Sequence, residues 1–171
     1  MFHVGEYIVY GTAGVCRLVG IENMKIPGEK TEKEYYHIVP LYDTGDIYLP
    51  VDSDKVFLRR AMNEEEARQL LKSVGQVETI DLGSGTAKEM STLYSELIRS
   101  HDPKKWMALC QYIYEKQKRE RSENKRTGSV DDAFIKKGEK LLFGELANAL
   151  QISPQEVEEY IDNLVEGTSK I

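Results

Sequence analysis

The stretch Glu6-Tyr7-Ile8-Val9-Tyr10-Gly11-Thr12-Ala13-Gly14-Val15-Cys16-Arg17-Leu18-Val19-Gly20-Ile21 decides the fold. Two runs rich in β-branched and aromatic residues flank a connection bounded by Gly11 and Gly14, which is the grammar of a hairpin. The same grammar continues outward. Tyr35-Tyr36-His37-Ile38-Val39 is followed by a turn at Asp43-Thr44-Gly45-Asp46, then Ile47-Tyr48-Leu49-Pro50, then Lys55-Val56-Phe57-Leu58-Arg59. Asn23 to Lys33, with Pro27 and Gly28 amid charge, reads as an exposed loop. Five such strands in about 60 residues suggest a small antiparallel barrel whose alternate residues fill a narrow interior.

After Met62 the pattern turns helical. Asn63 precedes Glu64, Glu65 and Glu66, acids that complement a helix N-terminus, and Ala67, Leu70, Leu71 and Val74 then recur at helical spacing. Gly75 to Gly85 reads as a loop. Thr86 can cap a helix through Ser100 whose apolar face is Met90, Leu93, Leu97 and Ile98. Asp102-Pro103 is a start signal followed by Trp106, Leu109, Cys110 and Ile113. Ser129 with Asp132 forms an approximate capping box for a helix to about Leu150, and Ser153-Pro154-Gln155-Glu156 forms a cleaner one. The expectation is an α+β protein: a five-stranded antiparallel barrel of the Tudor/SH3-like kind over residues 1–62, then an all-helical domain of about five helices over residues 63–171.

Of the 171 residues, 40% are hydrophobic and 30% charged, as in a globular protein. No apolar run is long enough to span a membrane, and Cys16 and Cys110 are too few for a disulfide framework, so a reducing cytoplasm is the expected setting. The net charge of −6 argues against nucleic acid, because phosphate neutralisation needs clustered Lys and Arg. The distribution reopens the question: residues 104–140 carry 11 basic and 6 acidic side chains, and residues 141–171 carry 1 and 6. A chain so polarised can set one face against DNA.

Catalysis and metal binding ask for convergent His, Cys, Asp and Glu, yet His3, His37 and His101 stand far apart and no phosphate-loop, nucleophile-elbow or zinc motif occurs. An enzyme, a metal site or a bound cofactor is therefore not expected. His37 reads as a barrel-wall residue, Cys110 as a small buried hydrophobe and Trp106 as core. Glu145 to Ile161 has the rhythm of a helix-turn-helix, but the helix in the recognition position carries Glu156, Glu158, Glu159 and Asp162 without a cation, which disfavours docking in a major groove. The better phosphate surface is the basic stretch Lys116, Lys118, Arg119, Arg121, Lys125 and Arg126, interrupted by Glu115, Glu120 and Glu123 and expected to project into solvent.

Three groups of residues then stand in a specific order. The opening is Phe2-x-Val4-Gly5-Glu6-x-Ile8-Val9-Tyr10 with Gly14 after it. Tyr35-Tyr36-x-Ile38 leads to Ile47-Tyr48-Leu49-Pro50-Val51, and Lys140-Leu141-Leu142-x-Gly144-Glu145-Leu146-Ala147 comes late. Together they resemble the CarD/CdnL family of bacterial transcription regulators, whose N-terminal domain is shared with transcription-repair coupling factor. The resemblance implies a non-enzymatic, nucleoid-associated factor. Its barrel would hold RNA polymerase, chiefly the β subunit, and its helical domain would touch promoter DNA weakly and with little sequence preference, modulating open-complex formation or stability. The implied polymerase edge comprises Met24, Lys25, Asp46, Ile47, Tyr48 and Leu49. Where well-studied members carry two arginines this chain has Met24 and Tyr48, with Lys25 or Arg17 as substitutes. The family's groove-wedging tryptophan aligns near Ala87, one helix before Trp106, which leaves DNA contact to the basic stretch. The alternative is a protein-interaction adaptor that uses the barrel without touching DNA.

Overall fold

The structure is a computed structural model that describes residues 1–28, 30–74, 76 and 80–168. Residues 75 and 77–79 of the expected 75–85 loop, and Glu29 of the expected 23–33 loop, lie outside that set. The protein is α+β and divides into two compact units, Met1–Ala61 and Met62–Ile171.

The first unit is a five-stranded antiparallel sheet of β1 (Tyr7–Tyr10), β2 (Gly14–Met24), β3 (Lys33–Pro40), β4 (Ile47–Pro50) and β5 (Leu58–Arg60), ordered β4-β3-β2-β1-β5. Pairing alone leaves it open, with β4 and β5 as its two edges. The β1–β2 turn requires its glycines, because Gly11 and Gly14 adopt φ of +46° and +84°, where a side chain is strained. Strand β2 extends past the expected Ile21 because β3 offers a ladder as far as Met24↔Lys33, and the register shifts between Leu18 and Gly20. Ile8, Cys16, Leu18, Tyr36, Ile38 and Leu49 form the core, with Phe2, Tyr10, Val56 and Leu58 among the residues packed against it. Each fully buried aliphatic side chain there contributes about 1.5–3 kcal/mol.

The second unit holds α1 (Glu64–Lys72), α2 (Ala87–Arg99), α3 (Pro103–Ser122), α4 (Ser129–Leu150) and α5 (Pro154–Thr168). Asn63 and Thr86 close reciprocal capping boxes with Glu66 and Glu89, and the Asp102 carboxylate accepts from the Lys104 N–H. Ser153 and Glu156 exchange bonds in the same way at the start of α5. The N-cap of α4 is Gly128, with no side-chain cap bond, so Ser129 falls inside the helix instead of capping it. Trp106 is fully buried and its indole N–H donates to the Ile98 carbonyl at 3.0 Å, tying α3 to the end of α2. Gly138 lets α4 lie close against α3, since a Cβ there would stand 2.8 Å from the Cys110 sulfur. No helix among the described residues is long and apolar enough to cross a membrane.

Candidate functional site

In the first unit the site is built on the β4 edge. Pairing with β3 sets Tyr48 opposite His37 and Leu49 opposite Tyr36. Strand alternation then sends neighbouring residues to opposite faces. Leu49 is 6% exposed and belongs to the core, Ile47 is half-buried against that core, and Tyr48 is 40% exposed. Tyr48 stacks on the His37 ring at 4.6 Å between centroids and 21° between planes. His37 is bracketed by carboxylates: its Nδ1 lies 3.1 Å from Glu22 Oε1 and its Nε2 3.5 Å from Asp46 Oδ2. Desolvation, followed by the charges of Glu22 and Asp46, pushes the Tyr48 phenol above its usual range.

The other residues of the expected edge are not gathered at one point. Met24 pairs with Lys33, two rungs beyond the Tyr35–Pro50 rung, so it and the exposed Lys25 lie off one end of β4 while Asp46 precedes the other. Arg17 is held on the β1 side, with its guanidinium carbon 6.0 Å from the centre of the Tyr7 ring. Val19 and Ile21 are also exposed on β2, at 38% and 40%, but Ile21 is in register with Tyr36 and Leu49, on the face opposite Tyr48, whose recorded neighbours are His37, Glu22 and Asp46. The sequence reading had assigned neither these two residues nor Glu22 and His37 to a site. The Asp43–Asp46 turn signals that β3 and β4 pair, but not the register that sets His37 opposite Tyr48.

In the second unit the basic stretch divides into two kinds of residue. Lys118, Arg119 and Arg121 are exposed on the last turns of α3, and Arg126 is exposed in the connection to α4. Lys125 is exposed but paired with Glu123, which holds that carboxyl below its usual range and raises the lysine. Lys116 does not join the solvated face: its Nζ lies 2.7 Å from Oδ2 of Asp131, which is 2% exposed. The expected solvent projection of this segment also fails at Gln117, which is 6% exposed and donates to Asp132 at 2.8 Å. Trp106 lies in the core, and Ala87 is an exposed first residue of α2, so neither supplies a wedge. Among the described residues no three His, Cys, Asp or Glu side chains come together as a metal site.

Residues 2–62 match the family described as the CarD-like/TRCF RID domain. No curated protein matches the chain. Over residues 2–62 the N-terminal unit is thus similar to the CarD-like/TRCF RID domain, a family of transcription-related proteins.

Proposed function

We propose that this protein is a bacterial transcription regulator that grips the β subunit of RNA polymerase through its N-terminal sheet and touches promoter DNA with its helical unit. The observation that carries the reading is the CarD-like/TRCF RID match over residues 2–62, on a sheet whose β4 edge displays Tyr48. An edge strand offers unpaired backbone groups to a partner strand, and exposed apolar side chains beside it add contact area. In this reading Tyr48 touches the polymerase, with Val19 two strands away on β2 as further exposed apolar surface. Ile47 and Leu49 hold the edge in place from the core side, Asp46 and His37 fix the Tyr48 ring, and Met24, Lys25 and Arg17 lie at the margin.

The DNA part of the proposal rests on Lys118, Arg119, Arg121 and Arg126, with Lys125 weakened by its partner and Lys116 serving the fold. These four exposed cations make a weak, sequence-independent phosphate surface. Weakness suffices if polymerase supplies proximity, because tethering replaces affinity with effective concentration. A factor that binds the open complex better than the closed one shifts that equilibrium by its differential affinity. In this reading the protein acts on the nucleoid in the cytoplasm. The adaptor alternative gains from the pairing of Lys116 and Lys125, which removes two of the six expected phosphate contacts.

The deciding experiment measures capture of RNA polymerase and retention of forked promoter DNA by the full chain, by Y48A and by K118A/R119A/R121A. The proposal expects Y48A to lose polymerase and the triple variant to keep polymerase but lose DNA. DNA retention unchanged by the triple substitution leaves the adaptor. Polymerase capture unchanged by Y48A moves the contact off the β4 edge.

A further inference from the structure

A cavity of about 370 Å³ opens in the helical unit, walled by α3, α4 and α5 with Val74 at one side. Its apolar lining comes chiefly from Met107, Ile135, Leu142, Phe143 and Ile161. Glu139 of α4, with Glu158 and Asp162 of α5, bring three carboxylates to one cavity, and among the described residues no lysine or arginine lines it. Burial, then the charges of Glu158 and Asp162, hold the Glu139 carboxyl above its usual range. The Cys110 thiol facing the same space is pushed up by burial and by Glu139, so it serves as a small neutral wall and not as a nucleophile.

We propose that this cavity is a binding site for a small organic cation, an ammonium or amidinium group carried on an apolar body, distinct from the sheet edge and the basic end of α3. Two features of the cavity make the case independently. Its volume falls within the range of about 300–1,000 Å³ in which proteins hold small molecules, and its walls are apolar with a few converging polar groups, as such sites are. The charge of the described lining is one-sided, so a cation entering the cavity passes the exposed Glu158 and Asp162 and meets the half-buried Glu139, where its attraction is stronger than in water. An anion would be repelled, and a neutral apolar molecule would leave the half-buried Glu139 uncompensated. The occupant assigned is a free molecule, because the volume matches a small ligand and the charge of the lining complements a cation.

The geometry also assigns roles within the site. Glu158 and Asp162, exposed and one helical turn apart on α5, form the entrance. Glu139 sits deeper and is half-buried. The cationic head is therefore held between α4 and α5, and the apolar body lies against Met107, Leu142 and Phe143. Nothing in this assignment depends on the polymerase or DNA reading, and the two can fail separately.

Hexylammonium, hexanol and hexanoate, matched in length and differing in charge, are the probes. Each is titrated into the full chain and followed by amide chemical shifts. The expected result is saturable binding of hexylammonium with shifts concentrated at Ile135, Glu139, Phe143 and Ile161, hexanol at least about tenfold weaker and hexanoate weaker still. Glu139→Gln should weaken hexylammonium about fivefold or more and leave hexanol unchanged. Glu158→Gln with Asp162→Asn, both at exposed positions, should do the same and decides the matter if Glu139→Gln does not fold. The proposal is overturned if hexylammonium does not bind, if its shifts fall outside this cavity, if hexanol binds as tightly, or if neutralising the carboxylates leaves its affinity unchanged.

Discussion

The ammonium of Lys116 on α3 lies 2.7 Å from Oδ2 of Asp131 on α4, and the other oxygen of that carboxylate accepts the Tyr94 hydroxyl of α2 at 2.8 Å. One carboxylate, 2% exposed, thereby ties three helices together beneath the basic end of α3. Asp131 cannot be hydrated at that depth, so its partners are structural necessities.

Replacing Lys116 with Met should therefore cost stability. Breaking one side of a buried pair costs about 3–5 kcal/mol when nothing else remains, and with Tyr94 still donating, about 2 kcal/mol is expected in urea unfolding followed by circular dichroism. Substituting Lys118, Arg119 and Arg121 together should move the same transition by no more than about 0.5 kcal/mol per site. An unchanged transition in K116M would show that the pair does no structural work.

Gly138 and Cys110 make a prediction that changes sign with background. In the native protein a Cβ at 138 would sit 2.8 Å from the Cys110 sulfur, so Gly138→Ala should destabilise by about 1–3 kcal/mol through overpacking. With Cys110 already changed to Ala the sulfur is gone, and the same substitution should stabilise by about 0.5–1 kcal/mol, the gain of alanine over glycine inside a helix. A double-mutant cycle in denaturant reads the coupling directly. Equal effects in both backgrounds would mean that α3 and α4 do not meet at this pair.

The two neighbours on β4 should separate stability from recognition. Leu49→Ala empties a core position and should cost about 2–4 kcal/mol. Tyr48→Ala removes an exposed ring and should change stability by less than about 1 kcal/mol while abolishing polymerase capture. Parallel thermal melts and captures of the two variants provide the check, and a large melting shift in Tyr48→Ala would mean that its stack on His37 is structural.

The α2 cap predicts a pH dependence. Glu89 accepts from the Thr86 backbone N–H, and that bond, followed by one from the Thr86 hydroxyl, lowers its carboxyl below the ordinary 4.5. Because the folded value lies below the unfolded one, the contribution is fully present above about pH 5 and fades as pH falls through the folded value. The urea midpoints of the native protein and Glu89→Gln should differ at pH 7 and converge as pH drops below 4.5. A difference that stays constant across that range would exclude the charged cap.

What could be read from the sequence follows the range over which each interaction acts. The helix starts at Asn63, Thr86, Asp102 and Ser153 were legible because the cap acceptor and the N–H it serves are two or three residues apart. The same local rule misassigned Ser129, because Asp132 is bonded by Gln117 and Asp131 by Lys116 and Tyr94, all distant in sequence. Those partners also explain why Lys116 and Gln117 read as solvated and are not. On the sheet, alternation was visible in Ile47-Tyr48-Leu49, but which side faced the core depended on pairing with Tyr36 and His37. The cavity among α3, α4 and α5 had no local signature, since its three carboxylates belong to two different helices.

Trp106, the only tryptophan, lies fully buried in the helical unit, while the sheet unit holds none and carries Tyr7, Tyr10, Tyr35, Tyr36, Tyr42 and Tyr48. Intrinsic indole emission therefore reports one unit and stays silent about the other. Its red shift in denaturant marks exposure of the α2–α3 contact at the Ile98 carbonyl, and loss of near-ultraviolet tyrosine ellipticity weighs the sheet more heavily. Coincident transitions would mean that the two units unfold as one cooperative block, and separated ones that each carries its own stability. The native chromophores can make that distinction without any label.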